Sequence, residues 1–190
     1  MTADTYDDKT FEKEVYSDQK INGKEFQSCN FIKCDFSNCD LSHNRFFDCE
    51  FDGCNLSLIK LRGSALNNVI FRHCKITGVN FNECGDFLFS ARFENCVADY
   101  STFTSKKMTK TNFIKTSLKE VNFEQADLSG AVFDEANLEG AVFIKTNLAA
   151  ANFSTAFNYN IDPELNNIKK ARFALDGLPG LLTKHNINIV

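Results

Sequence analysis

The 190-residue chain contains no tryptophan, only two prolines and only three histidines. No apolar run approaches the roughly 18 residues that a membrane-spanning helix requires, which excludes that kind of anchor. The opening, Met1 to Thr10, has neither a basic stretch nor an apolar one, so no secretory signal is expected. A basic stripe of the kind that tracks phosphates is missing, and direct nucleic-acid binding is not expected. Signatures of catalysis are missing too: no phosphate-binding glycine loop, no nucleophile elbow, no H-E-x-x-H. These absences point to a protein that is not an enzyme and uses no cofactor.

What the chain has is phenylalanine, 20 of them, set on a beat of five. Large apolar residues fall at Phe11, Tyr16, Ile21, Phe26, Phe31, Phe36, Leu41, Phe46, Phe51, Leu56, Leu61, Leu66, Phe71, Ile76 and Phe81. The beat then slips by two and resumes at Leu88, Phe93, Ala98, Phe103, Met108, Phe113 and onward to Phe153. A period of five fits neither a helix nor a straight strand. In a straight strand, alternate centres would point to opposite faces and half of them would sit in water. The backbone must turn once per repeat so that every centre points inward. A coil of very short strands follows.

Charges decide how many repeats close one coil. Stacked coils put equivalent residues about 4.8 Å apart, where opposite charges help and like charges hurt. Within the two uninterrupted halves, a spacing of 20 gives nine opposite pairs and one like pair. The opposite pairs include Glu25–Arg45, Asp52–Arg72, Lys115–Glu135 and the chain Lys20–Asp40–Lys60. A spacing of 15 gives four opposite pairs and seven like ones. Four repeats per coil is the reading, and about seven coils would make a rod about 35 Å long. The expected segments are a flexible stretch at 1–10, the coil at 11–159 and a C-terminal segment at 160–190.

The run "ADLSGAVFDEANLEGAVFIKTNLAAANF", Ala126 to Phe153, resembles the pentapeptide-repeat family, with a looser match continuous from Phe11. The resemblance implies an all-β fold: a right-handed quadrilateral parallel β-helix with a short C-terminal helical cap. Asn160-Ile161-Asp162-Pro163-Glu164-Leu165-Asn166, with Gly180-Leu181-Leu182 and the closing apolar residues, is similar to the quinolone-resistance and microcin-immunity type. That resemblance implies a C-terminal homodimer that binds DNA gyrase or topoisomerase IV by imitating DNA, and protects it from poisons. The alternative is a cytosolic scaffold or interaction module with an unrelated partner.

The charge is unevenly placed. Residues 1–19 carry six acids against two bases, residues 20–160 sixteen against fifteen, and residues 161–190 three against four. The acidity belongs to the N-terminal stretch; the body is nearly neutral.

All eight cysteines, Cys29, Cys34, Cys39, Cys49, Cys54, Cys74, Cys84 and Cys96, stand two residues before a position of the five-residue lattice, Cys84 on its first phase. Alanine, serine and threonine fill that slot elsewhere, which marks it as a small inward site suited to a buried thiol. No histidine joins them at ligand spacing, so no metal is expected, and reduced thiols suggest the cytoplasm.

Two regions depart from the pattern. In "FNECGDFLFSARFEN", Phe81 to Asn95, the extra pair reads as a bulge at Cys84-Gly85. Phe87 and Phe89 fall in outward slots there, with Phe47 in the Phe89 column, a candidate partner patch. Asp86 and Lys106 fall in small inward slots, where neither belongs. In the C-terminal segment, Asp162 and Pro163 suggest a helix start, and a second short helix is expected from Pro179 to His185. Leu178, Leu181, Leu182, Ile187, Ile189 and Val190 are too many apolar groups for one short cap to bury, making a candidate dimer interface.

Overall fold

The computed structural model describes residues 4–85 and 89–188. The backbone winds into a parallel solenoid of about eight coils. Four strands, β1 (Thr5–Asp7), β3 (Glu25–Gln27), β5 (Arg45–Phe47) and β7 (Ala65–Asn67), stack on one face. Nine stack on the next: β2 (Thr10–Glu12), β4 (Asn30–Ile32), β6 (Glu50–Asp52), β8 (Val69–Arg72), β9 (Ala91–Glu94), β10 (Asn112–Ile114), β11 (Val132–Asp134), β12 (Asn152–Phe153) and β13 (Arg172–Phe173). The remaining faces carry single bridges, such as Val15–Asp35–Asn55–Lys75 and Lys20–Asp40–Lys60. The spacing of 20 holds throughout each half, as in Phe113 with Phe133.

Each coil turns at a corner two residues after a centre, where the backbone is left-handed. Lys13 (φ 56°), Asn38 (φ 59°) and His43 (φ 61°) adopt it without being glycine. L-residues pay steric energy there, and what offsets it is a hydrogen bond to the next coil. The corner amide of Lys13 donates to Ile32 O (2.8 Å), and that of Lys33 to Asp52 O (2.8 Å).

The centres pack as ladders of rings. Phe133 stacks on Phe113 (5.1 Å) and Phe153 (4.6 Å), and meets Phe123 of the adjacent face edge-on at 82°. Such pairs add about 1 kcal/mol each beyond area burial. The small inward slot has a second duty. Its hydroxyl or thiol donates to the carbonyl of a centre one coil back: Ser64 to Leu41 (2.8 Å), Thr146 to Phe123 (2.9 Å), Cys54 to Phe31 (3.2 Å). A residue that is both small and a donor therefore fits best.

The stacked charges meet as expected in Glu25–Arg45 (3.4 Å), Lys115–Glu135 (3.6 Å) and Lys119–Glu139 (2.7 Å). Asp52 and Arg72 are register partners but not an ion pair. Arg72 meets Glu94, its register partner on the following coil, and Glu50 diagonally on the preceding one, while Asp52 meets His73. A guanidinium that bridges two carboxylates is held more strongly than one paired with a single acid.

Both expected boundaries shift. The first coil begins before residue 11: Tyr6 lies five residues ahead of Phe11, and β1 pairs with β3 in full register. At the other end the solenoid runs past residue 160, with Asn147 bridged to Asn167 and Phe153 paired with Phe173. No helix starts at Asp162. Its carboxylate accepts from the Glu164 amide (2.8 Å) in a local turn, while Ile161 is buried in the coil. Pairing with the coil below outcompetes a short helix, whose nucleation is costly. The second helix forms where expected, as α1 (Pro179–Leu182) followed by a 3-10 turn, Thr183–His185.

Candidate functional site

The slipped beat is absorbed on one face. The nine-strand sheet passes through it unbroken, pairing Phe71 with Phe93 and Val69 with Ala91. Among the described residues the four-strand sheet runs to β7; further along, its face carries single bridges, Lys107–Asp127–Asn147–Asn167. A 3-10 turn, Phe81–Glu83, stands at the corner, with Asn80 Oδ1 accepting from the Asn82 amide (3.1 Å). Gly85 is not left-handed, and an added Cβ would meet only Ser64 O at an ordinary 3.6 Å. The bulge therefore does not depend on glycine.

The candidate patch of Phe47, Phe87 and Phe89 does not assemble among the described residues. Phe87 lies outside them. Phe47 is half-buried and pairs in register with Asn67. Phe89 turns inward, packing edge-on against Phe81 at 6.3 Å. The reason is Lys106, which is only 2% exposed. Its stem occupies the inward slot, its ammonium donates to the Cys84 carbonyl (2.5 Å), and it lies 5.2 Å from the Phe89 ring centre. The interior beside the slip is thus filled by the Lys106 stem and the Phe89 ring. Lys106→Ala should cost about 2–4 kcal/mol, through lost packing and the lost hydrogen bond to the Cys84 carbonyl. Lys106→Met, which keeps the volume, should cost less; chemical denaturation of the two variants measures the difference.

All eight cysteines are buried, and none forms a disulfide. Among the described residues, no group of three or more His, Cys, Asp or Glu side chains is placed to hold a metal. Burial pushes the Cys39 thiol up to about 11 and the Cys49 thiol up to about 12. Labelling with a thiol reagent should therefore be slow in the native protein and fast in denaturant. The sign of the pH effect follows. Thiols whose folded values are raised stabilise fully below the unfolded value, near 8.5, and that contribution is lost as pH rises towards 11–12. Melts should be flat from pH 6 to about 8 and fall steadily above.

The C-terminal face is the other candidate. Leu175 is 84% exposed, and Leu178, Leu182 and Ile187 of the same segment are exposed too. Leu181 is not part of that surface: it packs half-buried against the core. Ile189 and Val190 lie outside the described residues. The segment is anchored at three points. Ile161 N donates to Gly180 O (2.9 Å), Tyr159 packs beneath, and Lys184 bridges Asp162 (2.8 Å) and Glu164 (2.6 Å). Lys184 holds the Asp162 carboxyl below its ordinary range. Gly180 must stay glycine, because a Cβ would lie 2.3 Å from the Tyr159 carbonyl. The sequence reading missed Leu175 and Tyr159, both off the beat.

The pentapeptide repeat region profile matches residues 24–103, and the pentapeptide repeats profile, in eight copies, matches residues 116–156. The chain belongs to the pentapeptide-repeat family. No curated protein matches it in sequence. Among solved structures, it is similar to HetL, a pentapeptide-repeat protein involved in heterocyst differentiation regulation in the cyanobacterium Nostoc sp. strain PCC 7120. Identity is 14%, coverage 90% of this chain and 89% of that one, and TM-score 0.59. A trypsin-treated form of QnrB1, a plasmid-mediated fluoroquinolone resistance protein, matches at 20% identity, with coverage of 99% and 98% and TM-score 0.49. These identities speak for the fold alone. In a pentapeptide-repeat solenoid the inward groups are occupied with packing, so function falls to corners, faces and ends. No helix among the described residues is long and apolar enough to cross a membrane.

Proposed function

We propose that this pentapeptide-repeat protein is a non-enzymatic binding rod of the cytoplasm. It pairs through its C-terminal ends and docks a type II topoisomerase, DNA gyrase or topoisomerase IV, shielding it from poisons. The observation that carries the rod is the exposed apolar C-terminal face of Leu175, Leu178, Leu182 and Ile187. A two-fold pairing there buries all four at once and doubles the length of the rod. The choice of topoisomerase rests on the resemblance of Asn160–Asn166 and the closing apolar residues to the quinolone-resistance and microcin-immunity type. Eight buried cysteines outside any disulfide suit the reducing cytoplasm.

One observation favours the second reading, an interaction module with an unrelated partner. Imitation of DNA calls for continuous negative charge, whereas residues 20–160 carry sixteen acids against fifteen bases. A supercoiling assay with purified gyrase, with and without a poison, separates the two. The topoisomerase reading expects altered supercoiling, or protection from the poison, at micromolar protein. No effect on either from a folded dimer would leave the interaction module.

A further inference from the structure

The chain holds one Asn–Gly pair, Asn22–Gly23, at a corner of the first coil. In such a pair the glycine nitrogen can reach the side-chain carbonyl carbon of the asparagine, because glycine has no β-carbon to obstruct the approach. A hydrogen bond that holds the glycine amide protects against this. One coil on, the His43 amide donates to Arg62 O (2.9 Å), and two coils on the Gly63 amide donates to Glu83 O (2.8 Å). Gly23 stands in the same column, at φ 67°. Among the described residues its amide makes no such bond, and the Asn22 side chain makes none either. The corner is held from its flanks instead. Asn44 Nδ2 donates to Ile21 O (2.6 Å), and Asn44 Oδ1 accepts from the Lys24 amide (2.8 Å).

Room and solvent are both present. A Cβ built on Gly23 would meet nothing within 4 Å. Asn22 is half-buried along an open groove of about 320 Å³, where water reaches its amide. The charged groups of that groove are Lys20, Lys60 and Arg62 against Asp40 and Glu83, with His43 beside them. Among the described residues none of the three cations is in an ion pair, and the Asp40 carboxylate accepts from the Ser42 amide (3.0 Å). A carboxylate formed at residue 22 would therefore meet more positive than negative charge. The two Asp–Gly pairs lack the freedom of this corner: the Gly53 amide donates to Arg72 O (2.9 Å) and the Gly177 amide to Ala174 O (3.2 Å).

We propose that Asn22 is a modification site, which in the folded protein loses its side-chain amide through a cyclic imide closed with Gly23. The Gly23 nitrogen gives its proton to hydroxide and bonds to Asn22 Cγ. The Cγ–Nδ2 bond breaks, and Nδ2 takes up a proton and leaves as ammonia. Water then adds to either carbonyl of the ring. Opening on one side gives aspartate; opening on the other routes the main chain through the side-chain carbon and gives isoaspartate. Nothing is oxidised or reduced, and water is the co-reactant. Either product sets a negative charge in the groove with Lys20, Lys60 and Arg62. Isoaspartate also adds a backbone carbon to the corner, and no main-chain bond from Gly23 has to break to admit it.

The test incubates the intact protein at mildly alkaline pH and follows ammonia release, isoelectric focusing and peptide maps. Acid should accumulate at residue 22, as aspartate and isoaspartate, with one ammonia per converted chain and a rate that rises with hydroxide concentration. Native and guanidinium-denatured chains should react within about tenfold of each other, since tenfold is about the whole worth of one main-chain hydrogen bond and none has to break. Asp52→Asn supplies the internal control. It creates a second Asn–Gly pair at a corner whose glycine amide is engaged. That pair should react about tenfold more slowly than Asn22 in the native state, and at a similar rate in denaturant. Gly23→Lys places at this corner the residue that Lys13 and Lys33 already carry in the same left-handed conformation. It should stop the reaction and leave the fold intact. A native rate far below the denatured one, equal native rates at residues 22 and 52, acid confined to other asparagines, or undiminished ammonia release from folded Gly23→Lys would overturn the proposal.

Discussion

Phe133→Asp should yield no cooperatively folded protein, whereas Asp134→Lys, one residue along, should melt almost as the parent does. Phe133 is fully buried, stacked between Phe113 and Phe153 and edge-on to Phe123 and Phe143. A carboxylate there has no cation or amide donor to meet it, and an unpaired buried charge costs several kcal/mol. The lost ring adds about 3–5 kcal/mol more. Together these rival the whole stability of a domain, commonly about 5–15 kcal/mol. Asp134 points outward from the same strand, where a surface change costs about 0.5 kcal/mol or less. Thermal melts followed by circular dichroism check both. Comparable curves would refute the inward assignment of the five-residue centres.

The second large effect is on assembly. Leu182→Glu should convert a dimer to monomers while leaving the melt of the solenoid nearly unchanged. Leu182 is 37% exposed, so the glutamate stays solvated in the monomer. In a dimer it would be desolvated against Leu178 and Ile187 of its own face and their copies, at a cost that outweighs a small apolar contact. Removing residues 178–190 should do more. It takes away the Gly180 carbonyl that receives Ile161 N and the Lys184 clamp on Asp162, and it uncovers Tyr159. The uncovered end would then be an open stack of strand edges, prone to aggregate. Light scattering at micromolar concentration reads out both variants. A monomeric mass for the intact chain would sink the dimer and with it much of the topoisomerase reading.

The reading of Lys106 shows where one-dimensional inference reaches its limit. Position and spacing identified it as a charge in an inward slot, two residues before Met108. They could not say what the ammonium meets there, because the Cys84 carbonyl and the Phe89 ring come from the chain one coil earlier. The same holds for Phe89. Its offset from the beat marks an outward slot, but turning inward against Phe81 and Lys106 buries more ring. Asp52 and Arg72 show a milder version: they share a column, but the two-residue slip sets Glu94 opposite Arg72 on the following coil, and Arg72 pairs there and with Glu50 instead.

The sequence by itself determined the solenoid, its four repeats per coil, the inward centres, the small slot with its eight cysteines, and the place where the beat slips. These are legible because each recurs: a period of five repeated along the chain, and charges checked every 20 residues, make chance agreement small. Tertiary structure alone decided the rest. It set where the coil starts and stops, since Thr5–Asp7 and Arg172–Phe173 are ordered by strands one coil away rather than by their own propensity. It put Phe89 under Lys106, and Leu181 inside while Leu175 stays out. Among the described residues, it also stacked the first coil's rings on one side only. An end is defined by the missing neighbour, and a missing neighbour has no residue of its own in the sequence.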